Sequence, residues 1–119
     1  MGNVYEHLRT DTQEILGDAW MDYPLANDYE TIDLYRNGDE HILIFVGRQD
    51  GVWVIGMDAL IGNHGHAFGI TRKWGQFASR NDALLWAYGE ILTDKENMKG
   101  EVKMALGEAI EKITQLALF

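Results

Sequence analysis

Cysteine is absent from these 119 residues. Structural disulfides, thiolate catalysis, iron–sulfur clusters and cysteine-ligated zinc are thereby excluded, and a reducing compartment is permitted. Serine occurs once, at Ser79, outside any Gly-x-Ser-x-Gly elbow, so serine hydrolysis has no signature here. Proline also occurs once, at Pro24. No run approaches the ~20 apolar residues of a membrane span, and Met-Gly-Asn-Val-Tyr-Glu lacks the basic and apolar regions of a signal peptide. The expectation is a cytoplasmic protein with no membrane attachment. The glycines at Gly62-Asn63-His64-Gly65 precede no Lys-Ser/Thr and open no helix, so neither a P-loop nor a dinucleotide fingerprint is present.

Positive charge is scarce. Ten bases stand against nineteen acids, giving a formal charge of −9, which opposes direct binding to phosphate backbones. The first thirty residues hold seven of the acids, Glu6, Asp11, Glu14, Asp18, Asp22, Asp28 and Glu30, against Arg9 alone, a net −6. Such a surface keeps a protein soluble, and it also complements and steers a basic partner.

The patterning predicts a single α+β domain over residues 1–119, with elements in the order α-β-β-β-β-α-α. Asn3 and Glu6 have the spacing of a capping box, and Val4, Leu8, Ile15 and Leu16 mark a thin apolar side of a helix ending near Gly17. Residues 18–28 have neither period and read as a loop, whose Trp20, Met21, Tyr23 and Leu25 are expected to tuck into the core, the alternative being an exposed recognition patch. Tyr29 to Arg36 alternates as a strand and leads into Asn37-Gly38, a hairpin signal. His41 to Gly47 is apolar on both faces, as in a central strand. Asp50-Gly51 turns into a third strand at Val52 to Met57. The sheet is expected to be an antiparallel four-stranded meander whose last strand runs from about His66 to Lys73.

Ser79, with Asp82 three residues on, caps a helix to about Leu92, and its stripe of Ala83, Leu84, Ala87, Tyr88, Ile91 and Leu92 needs a flat apolar surface to lie on. Trp86 stands off that stripe, and the last helix is the cover expected for it. That helix begins near Glu101 and carries Val102, Ala105, Leu106, Ala109, Ile110, Ile113, Leu116 and Ala117 at helical spacing. With Phe119, residues 101–117 are a candidate homodimer contact.

Two constellations could carry function. His64-x-His66 with Asp58 upstream offers ligand types for a metal or small ligand. Arg72, Lys73 and Arg80 interleave with Trp74 and Phe77, the composition of a stacking platform, but within an acidic chain these bases are expected to pair with acids and the rings to lie in the core. The element order resembles that of double-stranded RNA-binding domains, whose second helix opens on a lysine-rich clamp. This chain has Arg80-Asn81-Asp82 there, so that activity is not carried over. No catalytic residues and no cofactor are indicated. The expected function is a non-catalytic protein-binding module, an acidic inhibitor or adaptor of a partner with a basic surface, engaged through Asp11, Glu14, Asp18, Trp20, Asp22 and Tyr23. A ligand site at Asp58, His64 and His66, and a homo-oligomeric structural role, are the alternatives.

Overall fold

The computed structural model describes residues 2–116. Its architecture is an α+β fold: four antiparallel strands in the order β1-β2-β3-β4, Tyr29–Asn37, Glu40–Gln49, Val52–Ile61 and His64–Phe68. A short helix, α1 (Gln13–Leu16), precedes the sheet, and two longer ones, α2 (Arg80–Leu92) and α3 (Gly100–Leu116), follow it. The meander arises because each turn is two residues long, the shortest link that pairs sequence neighbours.

Alternation at period 2 sorts the strands into two faces. Ile42, Ile44 and Val46 of β2 pair with Ala59, Met57 and Ile55 of β3, and all six are buried under the helices. Ala83, Leu84, Ala87 and Ile91 of α2, with Val102, Leu106 and Ile113 of α3, complete that core. Ser79 accepts a hydrogen bond from the Asp82 N–H at 3.1 Å and so caps α2 as the sequence implies. The opposite face is more thinly covered. Ala26 and Ile70 lie over Val54 with Phe45 and Val52 beside them. Gly56 lets this crossing chain come close, because a Cβ there would stand 2.5 Å from the Ile70 nitrogen.

Several expectations are corrected in detail. The N-terminal helix is one turn flanked by 3-10 turns at Glu6–Leu8 and Gly17–Ala19, rather than a continuous helix from Asn3. Its apolar stripe is too thin to be packed as a helix, and its polar residues are engaged elsewhere. The Asn3 amide donates to the Trp86 carbonyl (2.9 Å) and the Glu90 carboxylate (3.1 Å), and Glu6 accepts from the Trp86 indole (2.7 Å) and Arg9 (3.0 Å).

The first hairpin turns one residue later than expected. Asn37 pairs with Glu40, leaving Gly38-Asp39 at the tip with only Gly38 at positive φ (64°), whereas Asp50 and Gly51 are both positive at 55° and 82° as a type I′ turn requires. The fourth strand begins at His64 instead of His66, since Gly62 at φ 59° closes a tight turn that pairs His64 with Ile61. It ends at Phe68, and residues 72–74 form a 3-10 turn capped by the Thr71 hydroxyl.

Burial differs from expectation as well. Met21 and Leu25 are 68% and 61% exposed, and Trp20 and Tyr23 are half-buried, so the loop is not a plug; Ala26 is its buried residue. Phe77 is core, but Trp74 is 40% exposed. Trp86 is buried against Phe68 and Phe77 with Glu6 on its indole N–H, so the N-terminal segment supplies a cover that was expected from the last helix.

Candidate functional site

The residues before β1 cross the molecule on polar ties. Thr10 and Gln76 exchange backbone hydrogen bonds at 2.9 and 3.1 Å, and the fully buried Thr12 donates its hydroxyl to the Arg72 carbonyl at 2.7 Å. The Trp20 indole donates to the Lys73 carbonyl at 3.0 Å. The backbone is thus fixed while its acids face water. Asp11, Glu14, Asp18 and Asp22 are exposed, and no basic side chain lies within 4.0 Å of any of them among the described residues. Exposed Ile15, Met21 and Leu25 stand between and after them. The result is a negatively charged ridge with apolar tips.

Beneath this ridge lies a cleft of about 550 Å³, within the roughly 300–1,000 Å³ typical of ligand sites. Trp20, Trp74, Trp86 and Phe68 supply its aromatic wall, and Glu6, Asp11 and Glu90 supply carboxylates. Phe68 meets Trp74 and Trp86 edge to face, at centroid separations of 6.3 and 6.2 Å. Lys73 lies with its ammonium 5.0 Å from the Trp20 ring and 5.1 Å from that of Trp74, and donates to the Met21 carbonyl at 2.9 Å. Arg9 donates to the Trp74 carbonyl at 3.2 Å. Its lining thus sets cationic side chains and carboxylates beside an aromatic wall.

Compared with protein-family models, curated proteins and solved structures, the chain matches none. Its geometry must speak for itself.

That geometry brings some of the sequence-predicted residues together and separates others. Asp11 and Trp20 both line the cleft, with Glu14, Asp18 and Asp22 on the ridge. Tyr23 is half-buried beside Pro24, whose carbonyl accepts from Thr71 at 2.8 Å and Gln49 at 3.0 Å. Asp58, His64 and His66 do not converge. His66 pairs with Ala59 and shares the helix-covered face, where its Nε2 lies 2.6 Å from Asp94, with His64 at 4.0 Å from the same carboxylate. Asp58, one residue before Ala59, points to the opposite face and meets His41 at 3.1 Å. The single-residue offset along a strand is what parts them. In α3, Val102, Leu106 and Ile113 are buried in the core and Met104 is 65% exposed; Ala117 and Phe119 lie outside the described residues.

Of the three bases expected to pair with acids, Arg72 meets Asp50 at 3.5 Å and Arg80 grips both oxygens of Glu30, while Lys73 goes to the indoles. Sequence reasoning missed the cleft because its parts come from four separate stretches. The one local sign was Lys73 next to Trp74 amid so many acids. No spacing rule connects them to Trp20 and Trp86.

Proposed function

We propose that this chain is a non-catalytic protein-binding module, a small acidic inhibitor or adaptor that engages a partner through a basic surface. The observation that carries the reading is the ridge. Asp11, Glu14, Asp18 and Asp22 are exposed, with no basic side chain within 4.0 Å among the described residues, on a backbone already immobilised by Thr12 and Trp20, next to the exposed apolar Ile15, Met21 and Leu25. A preorganised charged surface loses little freedom on association, and apolar tips within it give desolvated contact area to a partner that charge alone would only attract. A partner that itself binds nucleic acid fits this description, since its basic cleft would be occupied by fixed carboxylates. The absence of cysteine suits a reducing compartment, and the cytoplasm is part of the proposal. Among the described residues no helix is long and apolar enough to cross a membrane.

The test is affinity capture with the full chain against a variant carrying Asn or Gln at positions 11, 14, 18 and 22, each over a salt series. One protein retained by the native chain at low salt, lost as salt rises and lost to the variant at every salt, is the expected outcome. Equal retention by both chains would remove the ridge from the function. A mass that rises with concentration in light scattering, unaffected by those four changes, would favour the homodimer through residues 101–117 and Phe119 instead.

A further inference from the structure

The wall between the ridge and the sheet already holds a cation. Lys73 lies against two indole rings at 5.0 and 5.1 Å, and its ammonium has no carboxylate within 4.0 Å among the described residues, in a chain with nineteen acids. A cation over an aromatic face is held by the negative potential of the ring, most strongly for Trp. Trp20 and Trp74 therefore form a cation-accepting clamp, and the side chain of Lys73 is its resident.

We infer that this clamp is a recognition site for an arginine side chain projecting from the basic partner, which enters the 550 Å³ cleft and displaces Lys73 from the rings. The inference rests on the protein-binding reading and specifies the chemistry at its centre. Three observations favour a guanidinium. The cleft contains carboxylates with no basic side chain within 4.0 Å among the described residues: Asp11, and Glu90, which accepts from the neutral Asn3 amide. Trp74 is 40% exposed, so a planar group can reach its ring, and a guanidinium stacks on such a ring while forking toward carboxylates as a compact ammonium cannot. The rim already holds one guanidinium, that of Arg9, which forks between the Glu6 carboxylate at 3.0 Å and the Trp74 backbone carbonyl at 3.2 Å. Displacing the resident gives up its two ring contacts, which the incoming guanidinium replaces, and one solvent-exposed bond from Lys73 to the Met21 carbonyl, and the freed ammonium moves into water.

The test uses the full chain, isotopically labelled, titrated at low salt with a capped tri-arginine peptide and, separately, with tri-lysine. The indole N–H signals of Trp20 and Trp74 are expected to shift saturably with tri-arginine, and tri-lysine to bind several-fold more weakly. Trp74→Ala should weaken tri-arginine binding about fivefold, in keeping with the loss of a cation–π contact. Lys73→Gln, which leaves every core residue in place, should strengthen it roughly threefold by vacating the clamp. Equal binding of the two peptides overturns the guanidinium assignment. If tri-arginine binds native, Trp74→Ala and Lys73→Gln chains alike but fails with the four ridge acids neutralised, the clamp site is wrong and the acidic ridge stands. If it fails to bind the native chain at low salt, both readings go.

Discussion

Residues 2–28 and the body of sheet and helices that follows are held by different forces. In the body, apolar side chains from β2, β3, α2 and α3 are removed from water together, and each buried Leu or Ile contributes roughly 1.5–3 kcal/mol. In the N-terminal stretch, few side chains are fully buried, Thr12 among them, and the chain is kept in place by individual polar bonds from Asn3, Glu6, Thr10, Thr12 and Trp20. A segment fastened by polar bonds needs no apolar pattern of its own. It can therefore carry a dense set of acids and exposed apolar tips without weakening the core, and that separation makes it the better candidate for contact with a partner.

The difference predicts distinct responses to mutation. Leu106→Ala, in the centre of the body, should cost about 3 kcal/mol of global stability, read from the denaturant midpoint, because the cavity under α3 cannot collapse fully. A loss confined to one helix, with the sheet still protected, would show that the body is not one cooperative unit.

Thr12→Val should cost about 1–2 kcal/mol, since the Arg72 carbonyl would be left facing a methyl group. Its effect should be local: hydrogen exchange is expected to accelerate over residues 2–28 and 70–77 while β2 and β3 keep their protection. Equal acceleration throughout would erase the contrast between the two regions.

A smaller effect is expected from pH, where α3 meets the first hairpin. Glu101 is held below the usual carboxylate value of 4.5 by the Tyr35 hydroxyl (2.7 Å) and then the Asn37 amide (2.9 Å). Glu40 is lowered by the Gly62 N–H (2.8 Å) and then by Lys99 (3.2 Å). Because both folded values lie below the unfolded ones, this stability is present above 4.5 and is lost as pH falls through the depressed values. Tyr35 is raised from 10.0, first by its hydrogen bond to Glu101, so its share is present below 10.0 and is lost as pH rises through the raised value. Glu101→Gln should flatten the acid-side decline of the melting temperature, and parallel curves for the two chains would refute the assignment.

Smallest of all should be the stability change on neutralising Asp11, Glu14, Asp18 and Asp22, within about 0.5 kcal/mol per site because these acids are exposed and have no basic side chain within 4.0 Å among the described residues. A large change at the same sites would mean that the ridge acids belong to the fold rather than to binding.

Much of the body could be read directly from residue order. The apolar run around Ile42-Leu43-Ile44 that marks a central strand, the Asp50-Gly51 turn and the Ser79 cap each depend on neighbours within a few positions, and each appears as expected. The N-terminal stretch could not be read in this way. Asn3 and Glu6 have capping-box spacing, and the Asn3 Oδ1 accepts the Tyr5 N–H at 2.9 Å, yet the Asn3 amide nitrogen and one Glu6 oxygen bond to Trp86, eighty or more positions away. Trp20, Met21 and Leu25 looked like core by residue type, but the space over Val54 is filled by Ala26 and Ile70 instead. The sequence-predicted acids Asp11, Glu14, Asp18 and Asp22 are exposed, whereas Asp58 is parted from His64 and His66 by a face of the sheet.

What the chain order determined by itself is the meander and the two amphipathic helices, since hydrophobic period, turn chemistry and capping act over a few residues, together with the charge of the first quarter. Only the tertiary structure decided that Trp20, Lys73, Trp74 and Trp86 would share one cleft, and that Trp86 would be covered by the N-terminal segment. Those contacts join residues far apart in the chain, and such closure is selected by the geometry of the packed sheet and helices, which no local pattern encodes.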